Sequence, residues 1–523
     1  MIKHNIKSSS QSVNNHHKRT APYIRFIASL VMLSLLAWLF LFDGFNKTEA
    51  KLDNSVINGN VSIGFIGSAD AMNVSIDNSI NAGITSLKSD GGWEPSKLVS
   101  SFSASDDKLT WTAKFNPDIR WSNGDGITLD DIMQSLQATL NNGSYGSYIS
   151  TNLESVKSDS ASNSIVFKLK HPMAVLPWLL ADPEYAIKPL AAAANATGSD
   201  SAGSVSSGAY TITSTADNGS NLTLTANKYY NASQKSGVIS MHAYASDADG
   251  LKALSSGDVS YLVKDSDVDY NAYSVDMSKY DVNRGNSTRR TMLVYNGRLD
   301  VSKPILSDQH FRLGLTRALD ANAIMGALGN QGVVNHTPVV PGSYGYHDDN
   351  SAYSYNPDEG RFLSTSYFGS KTNRLLWKSS SGHAFGDVVD GNLKQILQYT
   401  TWDEVDDNTY NQRIDSKDYD IALVDMTGLD GFKDMLNGNT LTSIDDQPAV
   451  SDAYDNIFKA ADDNALKDAI NNAAIAEADA SMADWLFTHR TTIISVKKMS
   501  EINPDFVDVN MMLAQAGSNN KSE

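Results

Sequence analysis

Residues Leu109 to Leu140 read LTWTAKFNPDIRWSNGDGITLDDIMQSLQATL, and the change of period inside this stretch decides the fold class. In Thr110 to Phe115 the apolar Trp111, Ala113 and Phe115 alternate with polar neighbours, the two-residue period of a strand with one buried face. From Thr128 onward, Leu129, Ile132, Met133, Leu136 and Leu140 follow at helical spacing, and Thr128 with Asp131 predicts the N-cap of an amphipathic helix. A strand, a glycine-containing turn and a capped helix in succession predict an α/β architecture.

The same alternation of signals continues outward. Ile165, Phe167 and Leu169 in SIVFKL, and Leu222 to Ala226, predict strands, while 191–208 is small and polar enough for a loop. Near Thr291 the string TMLVYN predicts a strand, followed by a helix opened by Ser307, with Phe311, Leu315, Ala318 and Leu319 on one face and Asp308 and Arg312 paired on the surface. Leu375 to Trp377, a helix near Asn392 to Leu397, the strand Asp420 to Val424 and a helical stretch through Ile470 to Leu486 predict a second α/β region. No period of 20 to 50 residues repeats, which argues against solenoids and propellers.

With 523 residues, 41% apolar content, 22 tyrosines and 8 tryptophans, the chain can build several large cores. Phe26 to Phe42, FIASLVMLSLLAWLFLF, carries no charge and reads as a membrane segment or export signal. Lys3, Lys7, Lys18, Arg19 and Arg25 precede it without an acidic residue, so residues 1–25 are expected in the cytoplasm and everything after Asp43 outside. The long leader favours an uncleaved single-pass anchor in the cell membrane; cleavage, for which Thr48-Glu49-Ala50 is the nearby small-residue site, would make the protein secreted. Beyond residue 44 stand 37 basic and 59 acidic residues, a balance of −22 that argues against a nucleic-acid partner and suits solubility. There is no cysteine, so stability must come from cores without disulfides.

Neither G-x-S-x-G, H-E-x-x-H nor a P-loop string occurs, and the ten histidines are scattered without metal-ligand spacing. These absences set aside hydrolase, nucleotide and metal chemistry, and the reading is of no enzyme, no cofactor and no metal.

Several strings in order resemble one family. Besides Leu109 to Leu140, these are HPMAVLPWLLADPEYAIKP (His171 to Pro189), SSGAYTI (Ser206 to Ile212), in which Ala209 replaces a proline, YNGRLDVSKPILSDQHFRLGLTRALDANAI (Tyr295 to Ile324), and PVVPGSYGY (Pro338 to Tyr346) followed by YNPDEGRFL. Together they resemble the peptide, oligopeptide and nickel-binding family of extracellular solute-binding proteins of bacterial ABC transporters. The resemblance implies a two-lobed periplasmic-binding-protein-like α/β fold with a hinge and an appended small α/β subdomain, after one N-terminal transmembrane helix. The implied boundaries are 26–42 for the anchor, 43–58 for a linker, 59–75, 173–288 and 491–523 for lobe I, 76–172 for its subdomain and 289–490 for lobe II. The implied function is capture of a peptide or other small solute in the interlobe cleft for an ABC permease and ATPase complex. A membrane-anchored peptide sensor or scaffold on the same fold is the alternative.

In that family a carboxylate near a "W-x-x-D" motif receives the ligand's amino terminus. The matching stretch, YDIALVDMTGLDGFKDML (Tyr419 to Leu436), puts Met426 at the tryptophan position and Leu429 at the aspartate position, so Asp430 or Asp425 would serve only after a loop shift. His383 falls near the place of an arginine for the ligand carboxylate. Trp402, Met72 and Asn73 fall where relatives have cleft residues, although solvation explains an Asp or His there, and core packing a Trp or Met, at least as well.

Overall fold

The computed structural model describes residues 59–517 apart from 68–75, 89, 141–145, 190–203, 231–233, 235, 297–303, 330–331, 348–352, 366–371, 427–447, 482, 506–512 and 514. The proposed anchor, 26–42, lies outside the described residues; among those described, no helix is long and apolar enough to cross a membrane.

The first strands in the chain are β1 (Asn60–Ile66), β2 (Thr85–Leu87), β3 (Trp93–Pro95), β4 (Val99–Ala104), β5 (Thr110–Phe115), β6 (Leu153–Asp159) and β7 (Ser164–Leu169). After them come β8 (Tyr210–Ala216), β9 (Asn221–Ala226), β10 (Val238–Tyr244), β11 (Tyr261–Lys264) and β12 (Tyr280–Tyr295). The last are β13 (Val333–Val334), β14 (Asn373–Lys378), β15 (Thr400–Val405), β16 (Ile421–Met426) and β17 (Ala483–Val496).

β4 to β7 form a sheet in the order β4-β5-β7-β6, and the alternation expected from TWTAKF and SIVFKL is realised: Ala113, Phe115, Ile165, Phe167 and Leu169 are buried on one face. Helix Leu129–Thr139 packs there too. Its capping box is closed by Thr128 and Asp131, each side chain bonding the other's backbone N–H.

The large mixed sheet runs β15-β14-β16-β12-β17-β11-β1-β10-β9-β8, with β13 added on β17. β14 is parallel to β15 and β16, and β1 is parallel to β10 and β11. Strands covered on both faces lose alternation, as in Leu375, Leu376 and Trp377, all fully buried. β12 and β17 are long because each serves both halves of the sheet. Tyr280 to Asn286 pairs with Arg490 to Val496, beside β11, whereas Arg290 to Val294 pairs with Ala483 to Thr488, beside β16. The ladder breaks its register between Asn286 and Arg290, so the ribbon joining the halves is interrupted where it passes between them.

One apolar core spans the small sheet and the helices Pro448–Lys459 and Asp463–Ala480. Tyr148 stacks on Phe458 at 3.9 Å and 8°, and the Ala174 N–H donates to the Ala460 carbonyl at 2.8 Å.

Four local expectations change. TMLVYN is only the end of a 16-residue strand. The helix after it is capped by Asp308, not opened by Ser307, which belongs to a 3-10 turn. The helical stretch stops at Ala480, where Ser481 is left-handed, and Leu486 lies in β17; a doubly buried strand has no two-residue alternation to betray it. Arg312 is not on the surface. It is fully buried, donating to the carbonyls of Leu306, Ser307, Ala480 and Ser481 at 2.7–2.9 Å, so it caps the negative end of helix Asp463–Ala480.

Candidate functional site

In an open α/β sheet, ligands collect at the carboxyl ends of the strands, where side chains from several strands converge without a continuing ladder. A cavity of about 610 Å³ lies at such a place: Lys264 ends β11, Lys378 ends β14 and Asp425 stands near the end of β16. Arg289 and Thr291 reach it from β12 beside the register break, and His489 from β17. Tyr410, Asn411 and Ile414 of helix Asp407–Asp415 form a further wall.

The floor is a connected polar group. Thr291 and Asp425 are direct cross-strand partners, and the Thr291 hydroxyl donates to Asp425 Oδ1 at 2.6 Å. Its one proton being spent there, the hydroxyl accepts from His489 Nε2 at 2.7 Å, which assigns the proton to Nε2. Arg289 Nη2 pairs with Asp425 Oδ2, while its Nη1 lies 4.0 Å from Asp265. Burial acts to raise the Asp425 carboxyl, but the contact with His489 and the Arg289 charge prevail and hold it far below the usual carboxylate range. Burial likewise acts against Arg289, and Asp425 and Asp265 keep it charged. The Asp425 side chain is crowded by its partners yet 38% exposed toward the cavity.

A second, more open hollow of about 720 Å³ sits between Trp93, Trp178, Tyr344 and Lys467. Although larger, it lacks the convergence of strand ends. Its Lys88 and Lys467 are paired with Asp90 and Asp463 at 3.2 and 2.9 Å.

Of the expected residues that the structure describes, Asp425 alone lines the 610 Å³ cavity. Met426 closes β16 opposite Arg290 and packs at the edge of a small apolar cluster that includes Tyr410 and Tyr419. His383 precedes helix Ala384–Gln395, 65% exposed, with Nδ1 2.7 Å from Glu404 Oε2; that hydrogen bond raises its pKa. Trp402 stands edge-to-face with Trp377 at 5.7 Å and with His383 at 4.9 Å, so His383 and Trp402 form a pair of their own. Asp430, Met72 and Asn73 lie outside the described residues. Sequence reading missed Arg289, Thr291, His489, Lys264 and Lys378. The available signal was TRRT at the head of an apolar strand, where adjacent arginines are costly unless each has a task. Among the described residues no group of three or more His, Cys, Asp or Glu could hold a metal ion.

The family of bacterial extracellular solute-binding proteins, family 5 (middle region), matches residues 95–443, more than half of the chain, and this chain belongs to that family. It is thus a solute-binding protein of the ABC importer type, and its relatives are binding proteins. Solved structures agree in fold. The oligopeptide-binding protein AppA from Bacillus subtilis, in complex with a nonapeptide, is 16% identical with a TM-score of 0.69 over 88% of this chain and 99% of its own. NikZ from Campylobacter jejuni, in complex with Ni(L-His), is 17% identical with a TM-score of 0.70 over 86% and 96%. DppA from Helicobacter pylori, in complex with the peptide STSA, is 13% identical with a TM-score of 0.71 over 88% and 98%. No curated protein matches the chain by sequence.

Proposed function

We propose that this protein is the extracytoplasmic capture subunit of an ABC importer, held at the membrane by 26–42 and taking up peptides in a cleft between two lobes. Lobe I comprises 59–75, 173–288 and 491–523, lobe II 289–490, and the subdomain 76–172 stands on lobe I. The observation that carries this reading is the position of the cavity: it adjoins the interrupted β12–β17 ribbon, where rotation of one half against the other would open or cover it. A permease could then distinguish loaded from empty protein by shape.

A second reading, a membrane-held sensor or scaffold, draws on the Asp425–Arg289 pair, since a carboxylate already matched to an arginine is a poor anchor for a peptide amine. Thermal unfolding of the protein against a mixed peptide library, then against fractions, tests the capture reading. A ligand bound only by the folded state raises the melting temperature in a saturable way. A well-folded sample that no fraction stabilises counts against peptide capture.

A further inference from the structure

We propose that the 610 Å³ cavity anchors its ligand through a ligand carboxylate seated on Arg289, not through a ligand ammonium on Asp425. This rests on the reading of the cavity as the capture site and names the chemistry of that capture.

An ammonium taken out of water needs a carboxylate with acceptor capacity to spare. Asp425 has little: Oδ2 is held by Arg289 and Oδ1 takes the Thr291 hydroxyl at 2.6 Å, with His489 Nε2 at 3.7 Å. The other carboxylate on the wall, Asp407, faces Lys378 at 3.7 Å and accepts from Ser380 at 3.3 Å. Both lining carboxylates therefore face cations of the protein itself.

Among the lining cations, Arg289 is the one with donors to spare. Lys264 is held by Asp247 at 2.8 Å, and Lys378 faces Asp407 at 3.7 Å. Arg289 spends Nη2 on Asp425, but Nη1 is 4.0 Å from Asp265, too far for a hydrogen bond, and Asp265 instead accepts from the Thr491 hydroxyl at 3.3 Å. The Arg289 side chain is 36% exposed. Its planar fork has donors left for a second carboxylate, which Lys378, 35% exposed on the same wall, would favour electrostatically.

The test is isothermal titration of the full chain with trialanine, N-acetyl-trialanine, trialanine amide and succinate. It compares the natural protein with Arg289→Gln, Asp425→Asn and the double variant, in which both members of the Arg289–Asp425 pair are neutral; circular dichroism checks that each variant is folded. The proposal expects N-acetyl-trialanine to bind about as well as trialanine and the amide to bind at least about tenfold more weakly, the scale of one charge-assisted hydrogen bond. Arg289→Gln and the double variant should abolish that discrimination. Asp425→Asn should keep or strengthen carboxylate binding, because it removes the competing anion. An amide that binds like the free peptide, with loss on acetylation or in Asp425→Asn, overturns the carboxylate anchor while peptide capture stands. Binding of succinate alone, lost in Arg289→Gln, supports the anchor and overturns peptide capture. Binding of none of the four by folded protein overturns both.

Discussion

Replacing Glu477 by glutamine should make the protein more stable at alkaline pH and leave it nearly unchanged at acid pH. Glu477 lies in helix Asp463–Ala480 with 2% of its surface exposed. It accepts from Trp485 Nε1 of β17 at 3.2 Å and lies 3.2 Å from the Tyr454 hydroxyl of helix Pro448–Lys459. The facing cation is Arg290 of β12, which stacks over the Trp485 ring at 5.7 Å. Burial outweighs the two hydrogen bonds and Arg290, so the carboxyl is pushed up from 4.5 to about 7. A raised carboxyl pKa means that the fold prefers the protonated form. The stabilisation is complete below pH 4.5 and is lost as pH rises toward 7, at a cost of about 3 kcal/mol. Glutamine retains the shape and one acceptor and cannot ionise. Guanidinium unfolding of both proteins should therefore give near parity at pH 4.5 and a lead of about 3 kcal/mol for Glu477→Gln at pH 8. A variant that is equally or less stable at pH 8 would refute the reasoning, because it would mean that Glu477 is ionised and matched by Arg290.

Arg312→Met should destabilise by at least about 3 kcal/mol, since it takes their donor from three buried carbonyls and a part-buried one; the loss is read from the denaturation midpoint. Gly208→Ala should cost roughly 1–3 kcal/mol in the same assay, because an added Cβ would run into the carbonyl of Ser79 and the backbone of Ile80. Glu404→Gln should lower the titration midpoint of His383 toward the ordinary 6.5, followed by NMR of the imidazole, because the hydrogen bond to Glu404 is the main cause of its raised pKa.

Local pattern carried the elements that have one wet face. TWTAKF, SIVFKL and the Thr128-capped helix are where their periods put them, because a half-buried element must alternate and a helix start must satisfy its own N–H groups. The pattern fell silent where both faces are covered. β17 is buried along almost its whole length, so no alternation of wet and dry positions marks it, and its first residues read as part of the preceding helix. Arg312 has the spacing of a surface ion pair with Asp308, and only the arrival of the C-terminal carbonyls of helix Asp463–Ala480 from 168 residues away makes it a buried cap.

The family strings, the order of elements and the α/β class were thus present in the sequence by itself, since each is a matter of neighbours along the chain. The site was not. Arg289 and Asp425 are 136 residues apart, and Thr291 and His489 198 apart, on three strands that are adjacent only through the order β16-β12-β17. Strand order and register are long-range choices, and a shift of one residue would turn Thr291, Asp425 and His489 to opposite faces. The tertiary structure therefore decided which charges meet, and with them that Asp425, one of the two carboxylates expected to receive a ligand, is already held by the protein's own arginine.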